Sequence, residues 1–237
     1  SREELLDRIL EAIAKILEDL KRLIDENLAR LEEVVRELER IIDRNLKLIR
    51  EILDELKKGS GSEEILEKIK KVDKELEDLI RRLLKKLEDL IRETERRLRE
   101  ILKRIRDLLK EVKDRDKDLE RLLEVLEEVL RVIAELAKEL LDSLRKVLKV
   151  VEEVLRLLNE VNKEVLDVIR ELAKDGGSDE IIRKLDELLK EVEKVHKEVK
   201  DRIRKLLEDH KRSLDMSCAQ ESRLLERAKE VVEREKK

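Results

Sequence analysis

The sequence predicts an all-α fold, an up-down-up-down four-helix bundle whose long helices pack nearly as in a coiled coil, and three observations carry that expectation. Apolar residues recur at alternating steps of three and four along each of four segments, which lays one continuous stripe down the side of a helix. Charged residues make up 51% of the chain and hydrophobic ones 40%, with no aromatic residue and no proline in 237 positions. Strong helix formers therefore fill nearly every place and helix breakers are excluded. Natural domains of this size draw on a wider alphabet, so the chain reads as an idealised, de novo sequence.

The first stripe runs Leu6, Ile9, Ile13, Ile16, Leu20, Ile24, Leu28, Leu31, Val35, Leu38, Ile42, Ile49, Leu53, Leu56 and stops at Lys57-Lys58-Gly59-Ser60-Gly61-Ser62. Glycines remove helical preference there, and Ser62 before Glu63 and Glu64 predicts a cap with acids in the first turn of the next helix. The second stripe includes Ile65, Ile69, Val72, Leu76, Leu83, Leu87, Leu98, Ile105 and Val112, and a break is expected at Lys113-Asp114-Arg115-Asp116, where short acids favour turns. A third passes through Leu119, Leu122, Leu126, Ile133, Leu140, Val147, Val151, Leu158, Val165 and Leu172, ending at Asp175-Gly176-Gly177-Ser178. The fourth, from Asp179, runs Ile181, Leu185, Leu188, Val192, Val195, Val199, Ile203, Leu206, His210, Leu214, Ser217, Glu221, Leu224, Ala228 and Val231. At about 1.5 Å per residue each helix should extend on the order of 75 to 85 Å. Short connections make sequence neighbours antiparallel and the whole a single domain over 1–237.

Several function classes are excluded by what the chain lacks. Acidic and basic residues are balanced, 63 against 59, and closely interleaved, so no basic face exists to draw nucleic acid or anionic lipid. Apolar runs fall far short of the roughly 20 residues that span a bilayer, and no signal-peptide pattern is visible at the start, so a soluble protein without a membrane partner is expected. No Ser-His-Asp or Cys-His arrangement, Gly-rich phosphate loop or zinc spacing occurs, and neither enzymatic activity nor a cofactor or metal is expected. His196 and His210, 14 residues apart on one helix, are separated by roughly 21 Å, too far to share an ion. A lone Cys218 cannot form an internal disulfide and suits a reducing compartment.

Polar residues on or beside the apolar stripes, Asn27, Asn45, Thr94, Ser143, Asn162, His196 and His210, are expected to form buried hydrogen-bond networks. Such networks fix register and partner choice at some cost in stability.

One stretch is foreign to this alphabet. Residues 214–222, Leu-Asp-Met-Ser-Cys-Ala-Gln-Glu-Ser, hold the chain's only methionine and only cysteine. At 100° per residue from His210, Leu214 and Ser217 fall near the core direction, Cys218 at its flank, and Ala219 away from it. Ser217 and Glu221 occupy places where leucine would pack better, so stability is given up to keep the word intact.

The segment resembles the degradation signal of ornithine decarboxylase, Leu-Pro-Met-Ser-Cys-Ala-Gln-Glu-Ser, which delivers proteins to the proteasome without ubiquitin. Leu214, Met216, Ser217, Cys218, Ala219, Gln220, Glu221 and Ser222 match, and Asp215 replaces the proline, which inside a helix would cost about 3 kcal/mol or more. In that family the Cys-Ala pair is critical, which maps onto Cys218 and Ala219.

A helical bundle with this signal in its last helix is similar to the designed LOCKR-type cage-and-latch switches of the degron-bearing class (degronLOCKR). The resemblance implies a cage over residues 1–175, a hinge at Gly176 and Gly177 within 176–178, and a latch over 179–237 carrying the degron at 214–222. It implies two partners, a key helix that competes with the latch and, after opening, the proteasome. A monomer working in the cytoplasm or nucleus of a eukaryotic cell is expected. A plain bundle scaffold or heterodimer component is the alternative, followed by a redox or metal-binding design using Cys218 and the histidines.

Overall fold

The computed structural model describes residues 1–59, 61–175 and 179–237, with the side chains of 62, 173–175 and 181 left aside. Four helices fill them: α1 (Arg2–Lys57), α2 (Ser62–Arg115), α3 (Glu120–Asp175) and α4 (Asp179–Lys236). The helices and the predicted stripes coincide closely, because the sequence period of 3.6 is satisfied inside each segment without reference to the others. The expected hinge at Gly176 and Gly177 and the capping side chain of Ser62 lie outside the described residues.

Between α1 and α2 the chain turns through Gly59, whose φ of 81° places it in the left-handed region that a glycine enters without steric cost. Its amide donates to the Leu56 carbonyl at 3.2 Å. The α2 end falls inside the expected break at 113–116, at its last residues. The helix continues through Lys113 and Asp114 to Arg115, and the turn is made by Asp116, whose Oδ1 accepts the Asp118 amide at 3.0 Å. Such local side-chain bonds favour a turn over helix. Leu119 already accepts from the Leu123 amide, so the third stripe begins where expected.

The helices contribute to two compact units. The first comprises Ser1–Leu31, Asp89–Lys146 and Glu208–Lys237. Its core holds Leu6, Ile13, Leu20 and Leu31 of α1, Leu98 and Ile105 of α2, Leu122 and Ile133 of α3, and Leu214 and Leu224 of α4. Side-chain pairs show each neighbour running antiparallel. Arg30 reaches Glu93 at 2.5 Å and Arg8 reaches Glu111; Arg145 pairs with Glu95 and Lys113 with Glu127; between α3 and α4, Glu128 pairs with Arg227 and Ser143 bonds His210, while Lys236 pairs with Asp7 across α4 and α1. The exposed ion pairs contribute little stability singly, the median being about 0 to 1 kcal/mol; apolar burial holds the unit together.

The second unit comprises Glu32–Glu88 and Val147–Leu207. Ile49, Ile52 and Leu53 pack with Ile65 and Ile69, Val165, Ile169 and Leu172, and Leu185 and Val192, one group from each helix. Arg50 reaches Glu193 at 2.7 Å, Arg44 reaches Glu75 at 3.1 Å and Arg202 reaches Glu153 at 3.0 Å.

On α4 the stripe is displaced by one residue in two places. His196, rather than its neighbour Val195, is fully buried, and near the end Val232 is buried while Val231 is half-exposed. A straight helix drifts by roughly 20° per heptad against a strict seven-residue repeat, which moves the buried line sideways.

Candidate functional site

Residues 214–222 lie within the uninterrupted helix α4. Helical geometry sorts them onto two sides. Leu214, Ser217 and Glu221 are buried, Cys218 is half-buried, and Asp215, Met216, Ala219, Gln220 and Ser222 are exposed. Met216 stands out at 73% exposure, whereas a methionine more often fills a gap in a core. Beside it lies a surface groove of about 660 Å³ between α3 and α4, with Glu139 on one wall and Arg212, Ser213, Met216, Gln220 and Arg223 on the other. The segment is thus held as helix, with one side against the bundle and one side in solvent.

Its hydroxyls serve their own helix. Ser217 Oγ donates to the Ser213 carbonyl at 3.1 Å and Ser222 Oγ to the Cys218 carbonyl at 3.3 Å. Back-bonding of this kind satisfies the hydroxyl but adds nothing between helices.

Glu221 is the most costly of these residues. It is only 5% exposed, and its Oε1 is buried with no hydrogen-bond partner. Burial pushes its carboxyl up to about 7, with Lys21 opposing that rise and Asp25 adding to it. Sequence reasoning placed Glu221 on the core line without recognising an unpaired buried carboxyl. The signal was available in the register His210, Leu214, Ser217, Glu221, which carries a charge where apolar residues stand elsewhere.

Burial pushes the Cys218 thiol up as well, helped by Glu221, Asp25 and Asp215 and opposed by Lys21. A nucleophilic or metal-binding cysteine needs the opposite shift. Among the described residues no group of three His, Cys, Asp or Glu could hold a metal ion, and no helix is long and apolar enough to cross a membrane.

The polar residues expected inside the bundle meet in three separate groups. In the first unit Asn27 Nδ2 donates to Thr94 Oγ1 at 2.7 Å, and Thr94 Oγ1 in turn donates to the Leu90 carbonyl at 2.7 Å. Also in that unit, half-buried Ser143 on α3 bonds His210 Nδ1 on α4. Asn27 Oδ1 and His210 Nε2 are left buried without partners. In the second unit Asn45 and Asn162 exchange bonds, and Asn45 Nδ2 also reaches His196 Nε2 at 3.2 Å. His196 Nδ1 lies 2.7 Å from the Val192 carbonyl, so Nδ1 carries the proton and Nε2 accepts. Both imidazoles have their pKa lowered, first of all by burial. They are kept neutral inside the protein.

These observations define an all-α helical bundle with buried polar layers and one helix that departs from the idealised pattern. No family model and no curated protein matches the chain. A solved structure described as a computationally designed three helix bundle aligns over 98% of this chain and 92% of that one, with 21% identity and a TM-score of 0.33. At that level the likeness supports neither fold nor function.

Proposed function

We propose that α4 is a displaceable latch that holds residues 214–222 helical, and that these residues act as a proteasomal degradation signal once a competing key helix takes the place of α4. The observation that carries this reading is the set Leu214, Ser217 and Glu221, which tie a foreign segment into the helix at core positions while two of the three pack poorly there. A scaffold or heterodimer component has no use for Ser217 and Glu221 at such positions.

Control on this reading is conformational, since Met216, Ala219, Gln220 and Ser222 face solvent even when α4 is docked. What docking withholds is an extended backbone, which a degradation machine must thread. Displacement also needs an affinity difference between key and latch. Going from about 1% to 99% open takes roughly 5.5 kcal/mol in favour of the open state. Burying a leucine contributes about 1.5 to 3 kcal/mol. A key with leucines in place of Ser217 and Glu221 therefore supplies most of the requirement, because it also relieves a buried carboxyl.

The test is the cellular half-life of a reporter fused to the chain, with and without a co-expressed helix matching α4 except for leucines at those two places. A half-life that shortens with the helix, and stays long in a Cys218→Ala variant, is the expected result. Unchanged turnover on co-expression removes the proposal.

A further inference from the structure

Among the described residues, the ionisable side chains that are fully buried are His196, His210 and Glu221, and all three belong to α4. The buried polar groups of α1, α2 and α3 are neutral: Asn27, Asn45, Thr94 and Asn162. Sensitivity to protons is thus concentrated in the helix assigned the moving role. Within the first unit Glu221 differs from His210, which has Ser143 at its Nδ1: no side chain bonds the buried Glu221 Oε1, and the hydroxyl of Ser217, one turn earlier on α4, is committed to the Ser213 carbonyl.

We propose that Glu221 is a proton-controlled release point for the terminal part of α4. With its carboxyl protonated, residues 208–237 stay docked in the first unit; once it ionises, this part loosens while residues 179–207 keep their own packing.

The physical cause is the burial of an unpaired charge, which a protein interior tolerates only when it is bonded or neutralised. The charged groups acting on Glu221 from α1 are Lys21 and Asp25, which oppose one another. No charged group of α3 is among those that shift the Glu221 carboxyl. Lys21 is the stronger of the two but does not offset the burial, so an ionised Glu221 is only partly compensated. The docked carboxyl titrates higher than it would in the released chain, so docking binds a proton that release gives up. Stability from this group is fully present below the ordinary value of 4.5, falls as pH rises towards about 7, and is flat beyond. His210 faces Ser143 and acts in the opposite sense at lower pH, since its imidazole must charge on release.

The inference concerns docking of α4 alone and holds whether or not residues 214–222 signal degradation. Hydrogen exchange of the full chain from pH 5 to 8, compared with Glu221→Gln, is the measurement. Because His210 is present in both proteins, it cancels in the ratio of their protection factors. The wild-type chain should lose protection relative to the Gln variant by several tens of fold between pH 5 and 8, confined to residues 208–237. A Glu221→Leu variant, with an apolar side chain on the core line, should follow the pH profile of the Gln variant. A ratio that stays flat overturns the proposal, as does a change of equal size over residues 179–207 or a Leu variant that retains the wild-type profile.

Discussion

Asn45 and Asn162 exchange two hydrogen bonds, of 3.0 and 2.9 Å, across the core of the second unit. The pair joins α1 to α3 directly, and Asn45 extends it to His196 on α4, so three helices share one polar layer.

That layer should respond asymmetrically to substitution. Asn45→Leu strands the Asn162 amide and one His196 nitrogen, each costing on the order of 1 to 3 kcal/mol when buried without a partner. The triple change Asn45→Leu, Asn162→Leu and His196→Leu removes every stranded group and should recover the loss or exceed it. Guanidinium unfolding followed by helical circular dichroism gives both values. A single variant as stable as the triple one would show that water reaches the layer.

Acid should weaken the bundle through its histidines. Both have lowered pKa values when folded, so the stability they contribute is present above the ordinary value near 6.5 and lost as pH falls towards the lower folded value. Taking the protein from pH 7.5 to 5 should therefore cost it more than it costs a His196→Leu, His210→Leu variant. Comparing the two proteins cancels Glu221, whose effect has the opposite sign. Equal losses in unfolding free energy would contradict the burial of these rings.

Leucine at position 221 should tighten the latch. The shift of the Glu221 carboxyl from 4.5 to about 7 corresponds to a penalty on the order of 3 kcal/mol at pH 8, and a Leu side chain adds apolar burial besides. The key concentration for half-maximal displacement, read by fluorescence polarisation, should rise by at least tenfold. No change would mean that the terminal part of α4 is already released when the key binds.

Cys218 offers a direct readout of opening. Its thiol is half-buried and its pKa raised, first by burial, so reaction with a chromogenic disulfide at pH 7.5 should be slow in the closed protein. Adding the key helix should speed it by an order of magnitude or more, since thiolate fraction and access both increase. Cys218→Ala should change unfolding free energy by less than about 1 kcal/mol, because only part of a small side chain leaves the interior.

Much of this protein is written locally. The spacing of Leu6 to Leu56 on α1, or of Leu119 to Leu172 on α3, determines a helix and its buried side, because every backbone bond of a helix is made within its own segment. The same arithmetic from His210 placed Leu214 and Ser217 inward and Ala219 outward, as found. The end of α2 falls within the break expected at 113–116, but Asp114 and Asp116 have equal turn preference and only the backbone decides which one caps.

Tertiary structure decided which polar groups meet. Asn27, Asn45, Thr94, Ser143, Asn162 and the two histidines all show their inward register in the sequence, but their sorting into three groups, with Asn27 Oδ1 and His210 Nε2 left over, depends on the stagger between helices. It likewise decided that Val232 and not Val231 is buried, and that Glu221 Oε1 has no hydrogen-bond partner. Periodicity states the direction a side chain takes from its own axis; what stands opposite it is a property of the neighbouring helices, and an unpaired carboxyl can be seen only when all of them are in place.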